Sequence, residues 1–113
     1  MDKGRFADWL VEIKDAFAKE ENKKDGTLLL SAAVPASTFL VEGGYDVNSV
    51  CASLDFVNLM AFDLHGPWVR PRTTGHHAGL FKFGKTEMGI DDAVNAWISR
   101  SGGLLFFLFF FLR

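Results

Sequence analysis

Residues 27–35 read TLLLSAAVP, a nearly continuous apolar run that follows Asp25-Gly26 and closes at Pro35. A run without polar alternation is typical of a strand that is buried on both faces, as in a parallel sheet. A buried helix segment fits the same periodicity, but this run is short and is bracketed by a glycine and a proline. The stretch therefore favours a buried strand, and periodicity alone leaves the helix open.

A second run of the same character, LDFVNLMAF, occupies residues 54–62 and predicts a second buried strand. Helices are predicted around the two runs. Apolar residues spaced three and four apart predict an amphipathic helix over residues 6–19. Asp46 is suited to cap a short helix over residues 47–53. A last helix is predicted to start near Asp91-Asp92 and to include Trp97 and Ile98.

The order is therefore helix, strand, helix, strand, helix. Such alternation predicts an α/β fold with parallel strands and helical crossovers, the unit of a (β/α) barrel or of a doubly wound sheet. A full barrel takes about 250 residues and eight units, and this chain of 113 residues holds roughly two. In barrels the chemistry lies at the carboxyl ends of the strands. Here those ends are residues 33–35 and 60–63.

Composition and charge narrow the classes of function. A chain of 113 residues with 49% hydrophobic and 23% charged residues is ordinary for one globular domain. The net charge of -2 is too small to indicate nucleic acid or an anionic membrane as a partner. Cys51 is the only cysteine, which excludes an intrachain disulfide and a cysteine-based metal site. The N-terminus leads into a charged amphipathic segment, so no signal peptide is predicted in this chain.

The sequence matches none of the motifs that we considered for metal binding, cofactor binding or membrane spanning. The three histidines, His65, His76 and His77, could be combined with Asp63 as zinc ligands, but no pair has the helical i, i+4 spacing of a metalloprotease. The sequence has no G-x-S-x-G elbow, phosphate loop or C-x-x-C. Residues 104–112 are nine consecutive apolar residues, about half of what a membrane-spanning helix needs. We therefore predict no metal, no cofactor and no membrane partner.

Four segments in one order resemble glycoside hydrolase family 18, and within it animal chitinases and chitinase-like lectins. They are LLSAAVPA at 29–36, GYDV at 44–47, LDFVNLMAFDLHGPW at 54–68 and TGH at 74–76. The resemblance implies a fragment of a TIM (β/α)8 barrel with about two βα units, whose strands are the fifth and sixth of the barrel. It also implies that residues 1–103 are a partial catalytic domain of that family and that residues 104–113 are an apolar tail foreign to its pattern.

The resemblance also implies a sugar-binding site. The family motif M-x-Y-D at the end of the sixth strand reads here Met60-Ala61-Phe62-Asp63. Met60 would line the floor beneath the sugar, Asp63 would accept a hydrogen bond from a sugar hydroxyl, and Trp68 would be an aromatic platform for a pyranose ring. Ala33 matches a small residue that leaves room for the acetamido group. Phe62 departs from the family, because the tyrosine expected there donates a hydroxyl hydrogen bond and phenylalanine cannot.

Without the resemblance these residues have ordinary structural interpretations. Met60 and Phe62 would be core residues of a strand, since apolar strand residues usually are. Asp63 would be a turn residue before Gly66. Trp68 is the least ordinary of them, because it follows a proline in a loop.

The family's general acid belongs to the signature D-x-x-D-x-D-x-E, which nothing in these 113 residues matches. Family members act by substrate-assisted catalysis, in which the sugar's own N-acetyl group attacks the anomeric carbon. The resemblance therefore implies an extracellular parent that binds and hydrolyses chitin, and a chain that contains no catalytic residue and is inactive alone. The alternative is part of a catalytically inactive chitin-binding lectin, toward which Phe62 points slightly.

Overall fold

A computed structural model describes residues 3–20, 26, 28–84 and 88–102 and the backbone of residues 107–109. Within them the order of elements is helix, strand, two helices, strand, helix, strand. The helices are α1 (Lys3–Lys19), α2 (Thr38–Gly44), α3 (Val47–Ser53) and α4 (Ile90–Ile98), and the strands are β1 (Ser31–Pro35), β2 (Phe56–Met60) and β3 (Phe107–Phe109). The predicted α/β fold with two βα units is confirmed.

The three strands form one parallel sheet in the order β1-β2-β3. β1 pairs with β2 from Ser31 opposite Phe56 to Pro35 opposite Met60. Both strands are shorter than the apolar runs that predicted them. β1 starts only at Ser31 because the backbone of Leu30 is already hydrogen-bonded to Asp55. The Leu30 N–H donates to Asp55 Oδ2 at 2.7 Å, and the Leu30 carbonyl accepts a hydrogen bond from the Asp55 N–H at 2.8 Å.

Only one face of β1 and β2 is buried. Val34, Val57 and Leu59 are completely buried among the residues that form the core with the helices. On the other face Ala33 and Met60 are exposed. The prediction of strands buried on both faces is therefore wrong for the described part of the chain, because its helices form a single layer over one side of the sheet.

α2 is not among the helices predicted from the sequence, because the pair Gly43-Gly44 favours a loop. The helix spans Thr38–Gly44, so the two glycines form its last two residues and do not prevent it from forming. Val41 and Gly44 are its buried residues, and the helix packs against α4. Tertiary packing thus outweighs the weak helix propensity of glycine.

The other helices have the predicted positions. α3 covers Val47–Ser53, and Asp46 caps it: the Ser49 backbone N–H donates to Asp46 Oδ1 at 3.3 Å, and the Ser49 hydroxyl donates to Oδ2 at 2.7 Å. These bonds lower the pKa of Asp46 below its ordinary value. At the start of α4, Asp92 Oδ2 accepts the Gly89 N–H at 3.0 Å, which satisfies one of the free donors of the first turn.

A buried aromatic cluster joins the helices to the end of β1. Trp97 is completely buried, and its Nε1–H donates to the Pro35 carbonyl at 3.0 Å. The ring of Tyr45 meets Trp97 edge to face at 5.4 Å, and the ring of Phe6 meets Tyr45 in the same way at 5.7 Å. α1 and α4 are therefore fixed to the end of the sheet where the candidate site lies.

Asp55 ties α1 to the sheet and gives a test of stability. Besides the Leu30 N–H, its carboxylate accepts a hydrogen bond from Lys14 Nζ. The Leu30 bond first and Lys14 second lower the pKa of Asp55. In a barrel-length protein containing these residues, we expect Asp55→Ala to lower the free energy of unfolding at pH 7 by about 1 kcal/mol, since a third of the side chain is exposed.

The pH dependence of that loss follows from the lowered pKa. The stabilisation is fully present above the unfolded-state pKa of about 3.9 and disappears as the pH falls through the lower folded-state pKa. Urea titrations at pH 7 and at successively lower pH should show the two proteins converging in acid. Asp15→Ala, at an exposed position of α1, is the control. An equal loss in both variants at pH 7 would contradict the role of Asp55.

Exposed apolar side chains and an open strand edge predict poor solubility of the isolated chain. Phe39 is 79% exposed, Trp68 60% and Leu40 53%. Within the described residues β1 pairs with no strand on its second edge, whereas β3 pairs with the second edge of β2, so that one of the two edges that β1 and β2 alone would leave open is covered. We expect the 113-residue chain to aggregate or to pack loosely, with dye binding and weak near-ultraviolet circular dichroism. A sharp thermal transition of a soluble monomer would show the opposite.

The apolar tail falls mostly outside the described residues. Only the backbone of Phe107–Phe109 is described, and it pairs in parallel with β2 from Val57 opposite Phe107 to Leu59 opposite Phe109. The prediction that residues 104–113 are foreign to the family pattern stays a prediction.

Candidate functional site

A cleft of about 420 Å³ lies where β1 and β2 end. Four of the five predicted site residues line it: Met60, Phe62, Asp63 and Trp68. The structure therefore brings together residues that span nine positions of sequence and include a strand end and a loop. The remaining lining residues are Pro35, Ala36, Ser37, Leu40, Leu64 and Met88.

Ala33, the fifth predicted residue, is not part of this lining. It lies in β1 opposite Asn58, two residues before the end of the strand, and it is exposed on the open face of the sheet. Because side chains two apart on a strand share a face, Ala33 lies on the same side as Pro35, one step below the cleft. Its role beside an acetamido group stays a prediction.

Met60 and Phe62 both line the cleft, and Ala61 lies between them in the core. Met60 is 38% exposed and lies opposite Pro35, whereas Ala61 is completely buried. Phe62 is half-buried and returns to the cleft side. The chain turns at Met60, where the Ala61 N–H donates a hydrogen bond to the Leu59 carbonyl at 2.9 Å.

Asp63 has a positive φ, which is uncommon outside glycine and which aspartate adopts more readily than most other residues. Its φ is 54°, in the left-handed region, which is frequent at functional sites. The adjoining chain is held by the Leu64 N–H, which donates to the His77 carbonyl at 2.7 Å. The carboxylate is 71% exposed, and its Oδ1 lies 4.0 Å from His77 Nδ1. Asp63 therefore presents an accessible acceptor at the edge of the cleft.

Trp68 is the large aromatic surface of the cleft and is 60% exposed. The loop that carries it is internally bonded. The Val69 N–H donates to the Gly66 carbonyl at 3.0 Å, and Arg70 Nη1 donates to the carbonyls of Pro67 at 2.6 Å and Val69 at 3.0 Å. An exposed ring on an ordered loop is suited to stack on the apolar face of a ligand.

Sequence reasoning missed the contribution of α2 and of the segment before α4. Leu40 on α2 and Met88 both line the cleft. Leu40 was missed because residues around Gly43-Gly44 were interpreted as a loop. The available signal was the apolar pair Phe39-Leu40 so soon after a strand end.

The histidines take part in a hydrogen bond and in ring stacking. Nε2–H of the buried His65 donates to the Thr73 carbonyl at 2.8 Å, and the rings of His76 and His77 stack with centroids 5.9 Å apart. Over the described ranges, no group of three or more His, Cys, Asp or Glu side chains is placed to hold a metal ion. No helix in the same residues is long and apolar enough to cross a membrane. Burial raises the pKa of Cys51 to about 11, which leaves it a neutral thiol.

Comparison with known proteins identifies the family. The family model for glycosyl hydrolases family 18 matches residues 1–104, so the chain belongs to that family. The two βα units are accordingly part of a (β/α)8 barrel of the kind that chitinases have. The match stops at the first residue of the apolar tail.

Individual relatives include proteins named as chitinases and one described as a pseudo-chitinase. Chitotriosidase-1 of Mus musculus is 39% identical over an alignment of 107 residues, and the match covers 88% of this chain and 22% of that protein. A variant of the class V chitinase of Nicotiana tobaccum in complex with NAG4 has a TM-score of 0.77 and 35% identity, over 96% of this chain and 31% of its own. Human YKL-39, described as a pseudo-chitinase with retained chitooligosaccharide binding, has a TM-score of 0.72 and 32% identity, over 88% and 29%. This chain thus spans less than a third of each.

Proposed function

We propose that this chain supplies part of the sugar-binding cleft of a chitinase-like glycoside hydrolase, and that the cleft binds β-1,4-linked N-acetylglucosamine polymers. The observation that carries the proposal is that Met60, Phe62, Asp63 and Trp68 line one cleft at the carboxyl ends of parallel strands, in a chain of this family. The class V chitinase variant in complex with NAG4 and the retained chitooligosaccharide binding of human YKL-39 support the choice of ligand.

The chemistry of the lining suits a sugar. A pyranose ring has an apolar face, which the exposed ring of Trp68 covers, and a rim of hydroxyls, for which the accessible carboxylate of Asp63 is an acceptor. Met60 supplies an apolar floor beneath the ring. Ala33, small and one step below the cleft, leaves space for an acetamido group.

The role of this chain in catalysis is to bind and orient. In substrate-assisted hydrolysis the protein protonates the leaving oxygen and holds the acetamido group. The signature that supplies the acid, D-x-x-D-x-D-x-E, does not occur in the 113 residues. Met60, Phe62 and Asp63 serve the second task. The parent protein acts outside the cell, as is usual for enzymes that meet a structural polysaccharide.

The second candidate is part of a chitin-binding lectin without activity. Phe62 favours it, because the tyrosine hydroxyl that would contact the acetamido group is absent. The similarity to human YKL-39 favours it as well. Both candidates use the same cleft and the same ligand, and they differ in whether the parent contains the acid.

The binding proposal is tested by Trp68→Ala in a barrel-length protein that carries these residues. Loss of a stacking ring should weaken binding of tetra-N-acetylchitotetraose by about tenfold to hundredfold, since burying such a ring contributes about 1.5–3 kcal/mol. Isothermal titration calorimetry measures the change. Trp9→Ala is the matched control, because Trp9 on α1 is 56% exposed and lies outside the cleft lining. Unchanged affinity in Trp68→Ala would refute the proposal.

A further inference from the structure

Trp68 rests directly on the backbone of Gly66. A Cβ atom placed on Gly66 would lie 2.3 Å from Trp68 Cη2, 2.5 Å from Cζ3 and 2.6 Å from Cζ2. Carbon atoms in favourable contact are about 3.5–4.0 Å apart, so no side chain at residue 66 is compatible with this ring position. Only glycine leaves space for the indole where the structure has it.

The contact covers one face of the indole and leaves the ring otherwise open. The six-membered part of the indole ring lies over Gly66, and Trp68 is nevertheless 60% exposed. The side turned away from Gly66 is therefore the side on which a ligand can stack. Because Trp68 is exposed, core packing does not hold its rotamer, and the contact with residue 66 takes that role.

The loop beneath the ring is fixed at both ends. The turn from Gly66 to Val69 is closed by its backbone hydrogen bond of 3.0 Å. At the base, the His65 ring lies so close to Gly75 that a Cβ there would be 2.4 Å from His65 Nδ1, and His65 Nε2–H donates to the Thr73 carbonyl at 2.8 Å. His65, which precedes Gly66, is thus held against residues 73–75 at the other end of the loop, and this contact restricts the movement of Gly66.

We propose that Gly66 is a positioning residue for ligand recognition, which seats the Trp68 ring with one face toward the cleft so that the pyranose of an N-acetylglucosamine polymer stacks without reorganisation. The inference rests on the function proposed above. Preorganisation of this kind raises affinity because the ring's rotamer entropy is lost before the ligand binds. A side chain at residue 66 must displace the indole by about 1 Å or more, judged from the contact distances.

The test is Gly66→Ala in a barrel-length protein that carries these residues, titrated with tetra-N-acetylchitotetraose. We expect about a tenfold loss of affinity, approaching that of Trp68→Ala. We expect no lowering of the thermal midpoint, because the exposed ring rotates away freely and an alanine restricts the unfolded chain. Gly43→Ala is the control, since a Cβ at Gly43 meets nothing within 4 Å, and it should leave affinity unchanged.

A double-mutant cycle separates positioning from a general structural effect. If Gly66 acts through the ring, Gly66→Ala has no further effect once Trp68 is alanine, and the losses do not add. Additive losses, or full affinity in Gly66→Ala while Trp68→Ala is weakened, would overturn the inference and leave the proposed function standing.

A direct readout of the ring makes the inference independent of binding. Among these 113 residues, Trp9→Phe leaves Trp68 as the exposed indole, because Trp97 is completely buried, and tryptophans elsewhere in the parent are the same in the variant and in its control. Gly66→Ala should change the acrylamide quenching and the emission maximum of Trp68 relative to the Gly43→Ala control. If Trp68→Ala leaves affinity intact, the proposed function fails, and unaltered quenching in Gly66→Ala refutes the seating of the ring in its own right.

Discussion

The 113-residue chain alone should leave chitin oligosaccharides uncleaved. Its sequence has no counterpart of the acid signature D-x-x-D-x-D-x-E, so the leaving oxygen would depart as an unassisted alkoxide. A general acid typically contributes about 10²–10⁴-fold to the rate. In the part of the chain that the structure describes, two complete βα units of a barrel surround the cleft, and the transition-state contacts that the other units of a barrel make are not supplied by them. With a fluorogenic chitobioside we expect a rate equal to that of buffer.

A contaminating glycosidase is the main hazard of this measurement, and the cleft itself supplies the control. Any true activity depends on the lining, so it should fall in Asp63→Ala and in Trp68→Ala. A trace of activity that is equal in the chain and in both variants belongs to a contaminant. A barrel-length member of the family serves as the positive control. Turnover by the pure chain that disappears in the two variants would contradict the prediction.

Local sequence signals were sufficient to predict an element where one strong interaction defines it. α3 has the predicted bounds because Asp46 caps it through both the backbone and the hydroxyl of Ser49. β1 and β2 were predicted from apolar runs, and their parallel pairing followed from the helices between them. The cleft residues near the end of β2 were placed by the family motif, since composition alone makes Met60 and Phe62 core residues.

Where tertiary contacts decide, the sequence was a poorer guide. α2 ends in two glycines, and it forms because Val41 and Gly44 are buried in packing that the sequence does not reveal. The apolar runs indicated strands buried on both faces, but burial of a face depends on whether another helix or strand packs against it. Ala33 was predicted to lie with the other site residues and instead lies below them, because its distance from the cleft is set by where β1 ends.

Phe62 is the one position where this chain departs from the M-x-Y-D motif and still lines the cleft. It is half-buried and lies in the same lining as Met60 and Asp63. In substrate-assisted catalysis the acetamido oxygen is the nucleophile and the acetamido nitrogen gains positive character. A tyrosine hydroxyl at this point would donate a hydrogen bond that orients the acetamido group for its attack on the anomeric carbon. Phenylalanine keeps the ring and its packing and lacks only that hydrogen-bonding group.

Phe62→Tyr in an active, barrel-length parent should therefore raise kcat much more than it changes affinity. One transition-state hydrogen bond is worth about 10²–10³ in rate, whereas a neutral hydrogen bond in the ground state contributes only about 0.5–1.5 kcal/mol to binding. Steady-state kinetics on a fluorogenic chitobioside, with oligosaccharide affinity measured in parallel, separates the two effects. In a parent that lacks the acid, the same substitution should alter binding alone, and modestly.

The control for Phe62→Tyr is Phe56→Tyr, which adds the same hydroxyl to the half-buried phenylalanine at the other end of β2, outside the cleft lining. It should leave kcat unchanged. If Phe62→Tyr raises kcat and Phe56→Tyr does not, the gain comes from the position of the hydroxyl and not from a more polar strand. Equal kcat in the Phe62 and Tyr forms of an active parent would mean that the ring at residue 62 packs beneath the ligand without contacting the acetamido group.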